Sequence, residues 1–300
     1  MKTALHTVSY AGGWGQASLP LDEVVDRAAR LGFDGLMLMA KRPHASVLDM
    51  TPDVRKRLRA RLEDLGIEMA CLAAYTNFTA DSEHGEVPHR EMQIQHVTEL
   101  ARLAVDLGGT VVRTFTGYEH AALPFTRAWD ACVEAVRECA RRSADCGAVI
   151  AVQNHHDIAC HSVAFERFLA EVGEPNCLAA FDAWTPALQG EDLADAACRL
   201  APRIVHTTAA DYVRLPRYRY QNTLVNFEAA GDYMLAVPMG EGTIDYRAFL
   251  AALRRGGYDG YVAYEMCSRM RDGGSLETLD RCASAFLTWM RDNGFTKPRN

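Results

Sequence analysis

The chain has 300 residues, of which 49% are hydrophobic, and its formal net charge at pH 7 is −7. This length suits a single α/β barrel, and the acidic charge argues against nucleic acid or an anionic membrane as a partner. No apolar run reaches ~18 residues and residues 1–6 lack the apolar stretch of a signal peptide, so we predict a cytoplasmic protein without a membrane span. The nine cysteines include no C-x-x-C pair, which predicts neither disulfides nor a thiolate zinc site.

Helix-like and strand-like segments alternate along the whole chain. Strands are predicted near residues 3–9, 35–40, 67–74, 110–116, 149–155, 178–183, 204–208 and 261–266. Helices are predicted near residues 21–31, from Pro52 with Thr51 as its N-cap, and near 88–107, 126–146, 162–172, 191–200, 245–255 and 275–292. Several helices end in glycine and lead at once into an apolar strand, as in the near copies Gly-Phe-Asp-Gly (32–35) and Gly-Tyr-Asp-Gly (257–260).

Eight strands alternating with eight helices predict one (β/α)8 TIM barrel domain over residues 1–300. The alternative is a doubly wound open sheet, which would usually carry a nucleotide-binding motif. Gly-Gly-Trp-Gly at 12–15 follows the first strand but lacks the spacing of such a motif. One segment, about 209–242, is predicted to be a long irregular loop rich in Tyr and Arg. It would close over a substrate, form a subunit interface or only decorate the surface.

Four consecutive predicted strands, the fifth to the eighth, each end in a polar side chain. These side chains are Gln153, Asp182, His206 and Glu265. The carboxyl ends of barrel strands converge on one mouth, so the four are candidate ligands of one metal ion, although each alone could be a capping residue. Three oxygen donors with one imidazole suit Mn²⁺, with Mg²⁺, Co²⁺ or Zn²⁺ as alternatives.

The order of these residues resembles the xylose isomerase-like TIM barrels, the sugar phosphate isomerase/epimerase group. In that family the fifth strand commonly ends in Glu-Asn-His, and the next three strands end in Asp, His and Glu. Here the fifth strand reads Gln-Asn-His at 153–155, and Val-Pro-Met-Gly-Glu-Gly at 237–242 resembles the Gly-Glu-Gly turn of the family. The resemblance covers essentially the whole chain and implies a metal-dependent enzyme that acts on a keto sugar.

Gln153 departs from the family pattern, in which a glutamate at this position is a candidate proton carrier. An amide oxygen can bind a metal but has no useful proton affinity, so epimerisation by two bases is disfavoured. The lost negative charge should leave a more Lewis-acidic metal. His155 lies two residues further along the same strand face, so we predict it as the general base, with Glu265 as the other catalytic residue. His156 is predicted to point away from the barrel axis.

A closer resemblance is to the large barrel subunit of bacterial C-glycoside deglycosidases. It rests on residues 36–46 (LMLMAKRPHAS) and on the opening His-Thr-Val-Ser-Tyr at 6–10. That family implies a metal-dependent lyase that cleaves 3-oxo glycosides together with a small β-sandwich partner subunit, and Lys41 and His44 would then bind the substrate. The alternatives are a keto-sugar isomerase or epimerase, a non-catalytic barrel subunit, and an endonuclease IV-like enzyme, which the acidic charge disfavours.

Overall fold

The computed structural model of the protein describes residues 1–296, so the last four residues of the predicted domain lie outside the described part. Within it, ten strands form a closed barrel of eight and a separate two-stranded sheet. The barrel strands are β1 (Lys2–His6), β2 (Gly35–Met39), β3 (Glu68–Ala73), β4 (Val111–Thr114), β5 (Val149–Gln153), β6 (Cys177–Ala180), β7 (Ile204–Ala209) and β10 (Tyr261–Tyr264). The separate sheet consists of β8 (Asp211–Gln221) and β9 (Asn226–Val237).

Closure of the ring decides the fold class. Strand β1 pairs with β10 on one side and with β2 on the other, and every neighbouring pair in the ring is parallel. A doubly wound sheet would leave two open edges, so the (β/α)8 prediction is confirmed and the open-sheet alternative is wrong. The strands are buried on both faces, as their apolar sequences require, and all five residues of β2 are buried.

Nine α-helices surround the barrel within residues 1–296. They are α1 (Leu21–Leu31), α2 (Pro52–Asp64), α3 (His89–Asp106), α4 (Phe125–Ala144), α5 (Ser162–Val172), α6 (Trp184–Gln189), α7 (Leu193–Leu200), α8 (Tyr246–Arg255) and α9 (Leu276–Asp292). Thr51 caps α2 as predicted, because its hydroxyl accepts a hydrogen bond from the Val54 N–H at 3.4 Å. The short helix α6 was not predicted. In this range no helix has the length and apolar character needed to cross a membrane.

The segment predicted as an irregular loop is instead an antiparallel hairpin of β8 and β9. The first strand was not predicted because it contains Pro216, and proline cannot donate a hydrogen bond to a β-ladder. The pairing shifts register between the two neighbours of Pro216, so the ring occupies an irregularity where no backbone donor is required. The outer part of the hairpin is solvent-exposed, and Tyr218, Tyr220 and Phe227 are each more than half exposed.

Asp211 ties the base of the hairpin to the Gly-Glu-Gly turn. Its carboxylate accepts hydrogen bonds from the N–H groups of Gly240 and Gly242, both at 3.0 Å. Gly240 has a φ of +91°, which favours glycine. A Cβ at position 242 would lie 1.9 Å from Asp211 Oδ1, so the second glycine is required by this close approach.

We expect Gly242→Ala to destabilise the protein by about 1–3 kcal/mol, because the added methyl group must displace the Asp211 carboxylate. Gly231→Ala is the matched control, since a Cβ at 231 would meet no atom within 4 Å. Urea unfolding followed by circular dichroism measures the difference in free energy of unfolding. Equal stability of the two variants would show that the turn relaxes freely around position 242.

Candidate active site

A cavity of about 460 Å³ opens at the carboxyl ends of the barrel strands. This volume falls within the usual range for small-molecule sites. Its aromatic lining includes Trp14, Tyr75, Phe115, Trp184 and Tyr212. Its polar and charged lining includes Lys41, His155, His156, Asp182, Thr208 and Glu265. Four of the residues predicted from the sequence therefore meet at one cavity, namely Lys41, His155, Asp182 and Glu265.

Asp182 is buried just beyond β6, where neighbouring groups hydrogen-bond both of its oxygens. Gln153 Nε2 donates to Oδ2 at 2.6 Å, and the Trp184 backbone N–H donates to Oδ1 at 3.1 Å. The Asn154 side chain joins the ends of β5 and β6, because it exchanges two hydrogen bonds with the Asp182 backbone. Burial raises the pKa of Asp182 to about 6, although the Gln153 hydrogen bond opposes this shift.

Glu265 follows β10 and is the second carboxylate of the cavity. Its Oε2 lies 3.3 Å from Nδ1 of His6, whose side chain is fully buried inside the barrel. Burial alone would raise the pKa of Glu265, but His6 and the nearby Arg113 outweigh burial and lower it to about 2. Glu265 is therefore ionised at neutral pH.

Two adjacent histidines follow β5. The strand ends at Gln153, so the alternation of side chains assumed for His155 and His156 does not extend to them. His156 has a φ of +69°, and its ring lines the cavity, so the prediction that it points away from the axis is wrong. The His155 ring also lines the cavity and stacks on Trp184, with ring centroids 5.2 Å apart.

A backbone hydrogen bond determines where neutral His155 carries its proton. The His156 N–H donates to His155 Nδ1 at 2.8 Å, so Nδ1 is an acceptor and the proton of the neutral ring lies on Nε2. Burial lowers the pKa of His155 and keeps the ring neutral. This geometry favours His155 as a hydrogen-bond donor to a ligand, whereas its position in the sequence predicted a general base.

The four predicted metal ligands do not meet at one point. Ala180, the last residue of β6, pairs with His206 on β7, so Asp182 lies two residues beyond the level of His206. His206 is fully buried one layer deeper, and Thr208 takes the position at the cavity. Gln153 reaches Thr208 as well, with Nε2 3.5 Å from the hydroxyl oxygen.

The side chains that lie at the carboxyl ends of these strands do not fit the predicted four-ligand site. Among residues 1–296, no three His, Cys, Asp or Glu side chains lie close enough together to hold a metal ion. Gln153 also directs its amide nitrogen, which cannot bind a cation, toward Asp182. The Mn²⁺ site stays a prediction that the position of His206 does not support, because the alternation of a strand gives the face of a side chain but not its height in the barrel.

His206→Leu should leave both the fold and the affinity for Mn²⁺ unchanged, because the imidazole lies below the cavity with Nε2 3.3 Å from the Met37 sulfur. Burial lowers the pKa of His206 to about 3, so the substitution removes no charge. Its Nδ1 is buried with no hydrogen-bond partner in the described structure, so stability should stay equal or rise by about 1 kcal/mol. Calorimetric Mn²⁺ titration and thermal unfolding check this, and weaker Mn²⁺ binding by the variant would make His206 a ligand.

The two predicted substrate-binding residues have different surroundings. Lys41 lines the cavity, and its Nζ lies 3.8 Å from the centre of the Tyr75 ring. His44 is only 4% exposed and does not line the cavity. Its Nδ1 lies 3.1 Å from Thr7 Oγ1, and its Nε2 lies 3.2 Å from the Leu19 carbonyl oxygen. His44 therefore holds the segment after β2 against the barrel and has no free nitrogen for a substrate.

Sequence reasoning missed Arg113, which is fully buried in β4. One nitrogen of its guanidinium donates to the Ala74 carbonyl oxygen at 2.9 Å, and its Cζ lies 3.9 Å from the centre of the Phe115 ring. Its charge adds to the effect of burial in lowering the pKa of His155 and of His206. A charged residue inside the strand sequence Val-Val-Arg-Thr-Phe (111–115) was the signal that could have revealed it.

Comparison with known protein families agrees with this architecture. The family model described as xylose isomerase-like TIM barrel matches residues 25–286, which is most of the chain. The chain belongs to the xylose isomerase-like TIM barrel family. No curated protein matches its sequence.

Several solved structures superpose on nearly the whole of this xylose isomerase-like barrel. L-ribulose 3-epimerase has a TM-score of 0.74 at 15% identity, over 97% of this chain and 94% of that one. The 3-keto-D-glucoside 4-epimerase YcjR from E. coli has a TM-score of 0.72 at 17% identity, over 97% and 99%. The probable 3-DHS dehydratase AsbF from Bacillus anthracis has a TM-score of 0.71 at 19% identity, over 96% and 99%. At these identities the likeness shows the shared fold alone.

Proposed function

We propose that this xylose isomerase-like barrel is an enzyme that removes a proton from the carbon next to the carbonyl group of a keto sugar, specifically of a 3-oxo glycoside. The observation that carries the proposal is the presence of the Glu265 carboxylate and the His155 ring in one cavity with aromatic walls. A proton acceptor and a hydrogen-bond donor for the carbonyl oxygen are the two groups that enolisation requires. The names L-ribulose 3-epimerase and 3-keto-D-glucoside 4-epimerase, carried by proteins of the same fold, support a carbohydrate substrate.

The proposed reaction uses side chains of this chain and, for the final proton, Asp182 or water. His155 Nε2 donates a hydrogen bond to the carbonyl oxygen at C3, and Glu265 takes the proton from C2. The electron pair of the broken C–H bond forms an enolate. In a lyase this electron pair then expels the aglycone from C1, and the aglycone takes up a proton from Asp182 or from water. In an epimerase the enolate is reprotonated at carbon instead.

Gln153 favours the lyase outcome over epimerisation. Epimerisation requires a proton donor on the face of the substrate opposite to the base, and the Gln153 amide cannot supply one. Asp182 also lines the cavity, and this carboxyl group keeps a keto-sugar epimerase as the second candidate function. The resemblance to the C-glycoside deglycosidases extends the lyase proposal to a small β-sandwich partner subunit. Because the described side chains do not fit a four-ligand site, no step uses Mn²⁺.

Isotope exchange combined with product analysis tests this proposal. The protein is incubated in D2O with a 3-oxo glucoside and, separately, with free ketohexoses, and the products are analysed by NMR and mass spectrometry. We expect deuterium at C2 of the recovered 3-oxo glucoside together with release of its aglycone, whereas an epimer without release would indicate the second function. If no sugar exchanges deuterium or yields a product, the enzyme proposal fails and the non-catalytic barrel subunit is favoured.

A further inference from the structure

We propose that the hairpin of β8 and β9 docks on the barrel mouth of a second copy of this chain, in a dimer with two-fold symmetry. Two exposed surfaces meet in this dimer. The outer hairpin consists of residues 214–229, and the opposite rim consists of residues 83–92 and 118–125, which follow β3 and β4. Each outer hairpin contacts the opposite rim of the other copy.

The exposed large hydrophobic side chains of residues 1–296 all lie at one end of the barrel. There are twelve, and each follows the carboxyl end of a barrel strand, either in the connecting segment or in the first turn of the next helix. The outer hairpin carries six of them, namely Leu215, Tyr218, Tyr220, Leu224, Val225 and Phe227. Apolar surface concentrated on one face is typical of an interaction site, so the mouth is the face where a partner binds.

Cross-strand pairing brings the aromatic side chains of the outer hairpin to one face. Tyr218 pairs with Ala229 and Tyr220 pairs with Phe227, and the rings of the second pair have centroids 5.2 Å apart. Directly paired residues project from the same face of a sheet. Residues 214–220 are all exposed, so the described chain leaves this face uncovered. An isolated two-stranded sheet is only marginally stable in water, and a partner surface would stabilise it.

The opposite rim lies across the mouth from the hairpin. The hairpin follows β7, and β7 and β3 are four positions apart in the ring of eight strands. The rim has exposed apolar side chains of its own, namely Met92, Tyr118 and Phe125. A two-fold axis in the plane of the mouth, perpendicular to the line from β7 to β3, places each hairpin over the rim of the other copy. One symmetric interface therefore covers both surfaces on both copies.

The charges of the two surfaces are complementary. The outer hairpin contains three arginines and one glutamate, whereas the opposite rim contains four glutamates and one arginine. Within residues 1–296, Arg217 and Arg219 form no ion pair, and neither do Glu86 and Glu119. The arginines project from the face opposite to the aromatic one, so they attract the rim at longer range. Because one chain carries both complementary surfaces, a second copy is the partner that fits them.

The contact lies next to the candidate active site. The Tyr118 ring stacks on the His156 ring, with centroids 4.2 Å apart, and His156 lines the cavity. A hairpin that covers Tyr118 therefore covers the outside of the cavity wall near the ends of β4 and β5. Each active site of the dimer is then enclosed by residues of both copies.

Sedimentation velocity of the purified protein tests the dimer. We expect Tyr218→Ser/Phe227→Ser to raise the dissociation constant of the dimer by about 100-fold or more, because buried aromatic residues dominate interface energies. Arg217→Glu/Arg219→Glu should raise it by about tenfold at low salt. Lys56→Glu/Arg57→Glu is the matched control, because it makes the same change of charge on the exposed side of α2 and should leave the dimer intact. Circular dichroism checks that all variants keep the fold.

Exchange of charges between the two surfaces tests their pairing. Glu86→Arg/Glu119→Arg should also raise the dissociation constant by about tenfold. An equal mixture of this protein with Arg217→Glu/Arg219→Glu has opposite charges at both contacts, so dimers should form again with nearly the wild-type affinity. The proposal is overturned if the wild-type protein is a monomer or if the aromatic and charge variants dimerise as the wild type does. It also fails if the mixture stays dissociated, because the hairpin then binds a different surface.

Discussion

Glu265→Gln is expected to lower kcat for deuterium exchange at C2 by about 10²–10⁴-fold, the usual loss when a positioned proton acceptor is removed. The amide has nearly the same shape as the carboxylate but cannot accept the proton. Exchange is the right measurement, because it reports the first proton transfer before the lyase and epimerase outcomes diverge. KM should change little, since the amide can still occupy its place beside His6, which lies 3.3 Å from the carboxylate.

Glu138→Gln is the matched control for this variant. Glu138 forms an exposed ion pair with Arg142 on α4, so the same substitution there should leave kcat unchanged. Circular dichroism checks that both variants keep the barrel fold. If Glu265→Gln exchanges deuterium at the wild-type rate, Glu265 is not the base, and Asp182, the other carboxylate of the cavity, takes that role.

His155→Phe is expected to lower kcat by about 10²–10³-fold, the loss typical of removing one hydrogen bond to a developing oxyanion. Phenylalanine can retain the aromatic contacts of His155 with Trp184 and Phe115, whose ring centroids lie 5.2 and 5.0 Å away. The change therefore removes the N–H donor while it keeps most of the packing. Single-turnover exchange in D2O measures the effect on the chemical step.

A second variant decides whether His155 donates or accepts the proton. His155→Gln keeps an N–H donor, so it should recover part of the rate lost in His155→Phe if His155 is a donor. Equal loss in both variants would support the general-base role predicted from the sequence. His84→Phe is the control for the substitution itself, because His84 is exposed and does not line the cavity.

The hairpin shows how a single residue can hide a regular element. Pro216 marks the middle of β8 as unsuited to a strand, and the segment was predicted to be irregular. Its pairing with β9 is nevertheless long, because the irregularity at the proline removes the requirement for one backbone donor. Whether a proline is tolerated depends on how its strand pairs with the opposite strand. The sequence of β8 alone does not specify that pairing.

The sequence by itself determined the closed barrel and the side of it that carries the chemistry. Apolar runs that end in polar residues predict eight parallel strands. Asp182 and Glu265 follow the carboxyl ends of two of these strands, and both line one cavity. These features follow from short-range periodicity and from the rule that parallel strands point the same way.

Only the tertiary structure decided which polar side chains meet and at what height. Strand alternation gives the face of a side chain, but the stagger between strands placed Thr208 at the mouth and His206 one layer deeper. Beyond the end of β5 no ladder fixes the chain, and a left-handed residue turned His156 into the cavity. Arg113 is fully buried, and its charge lowers the pKa of both His155 and Glu265, which are distant from it in the sequence. Stagger, turns beyond strand ends and the effects of a buried charge all arise from contacts between residues distant in the sequence, so local sequence patterns cannot encode them.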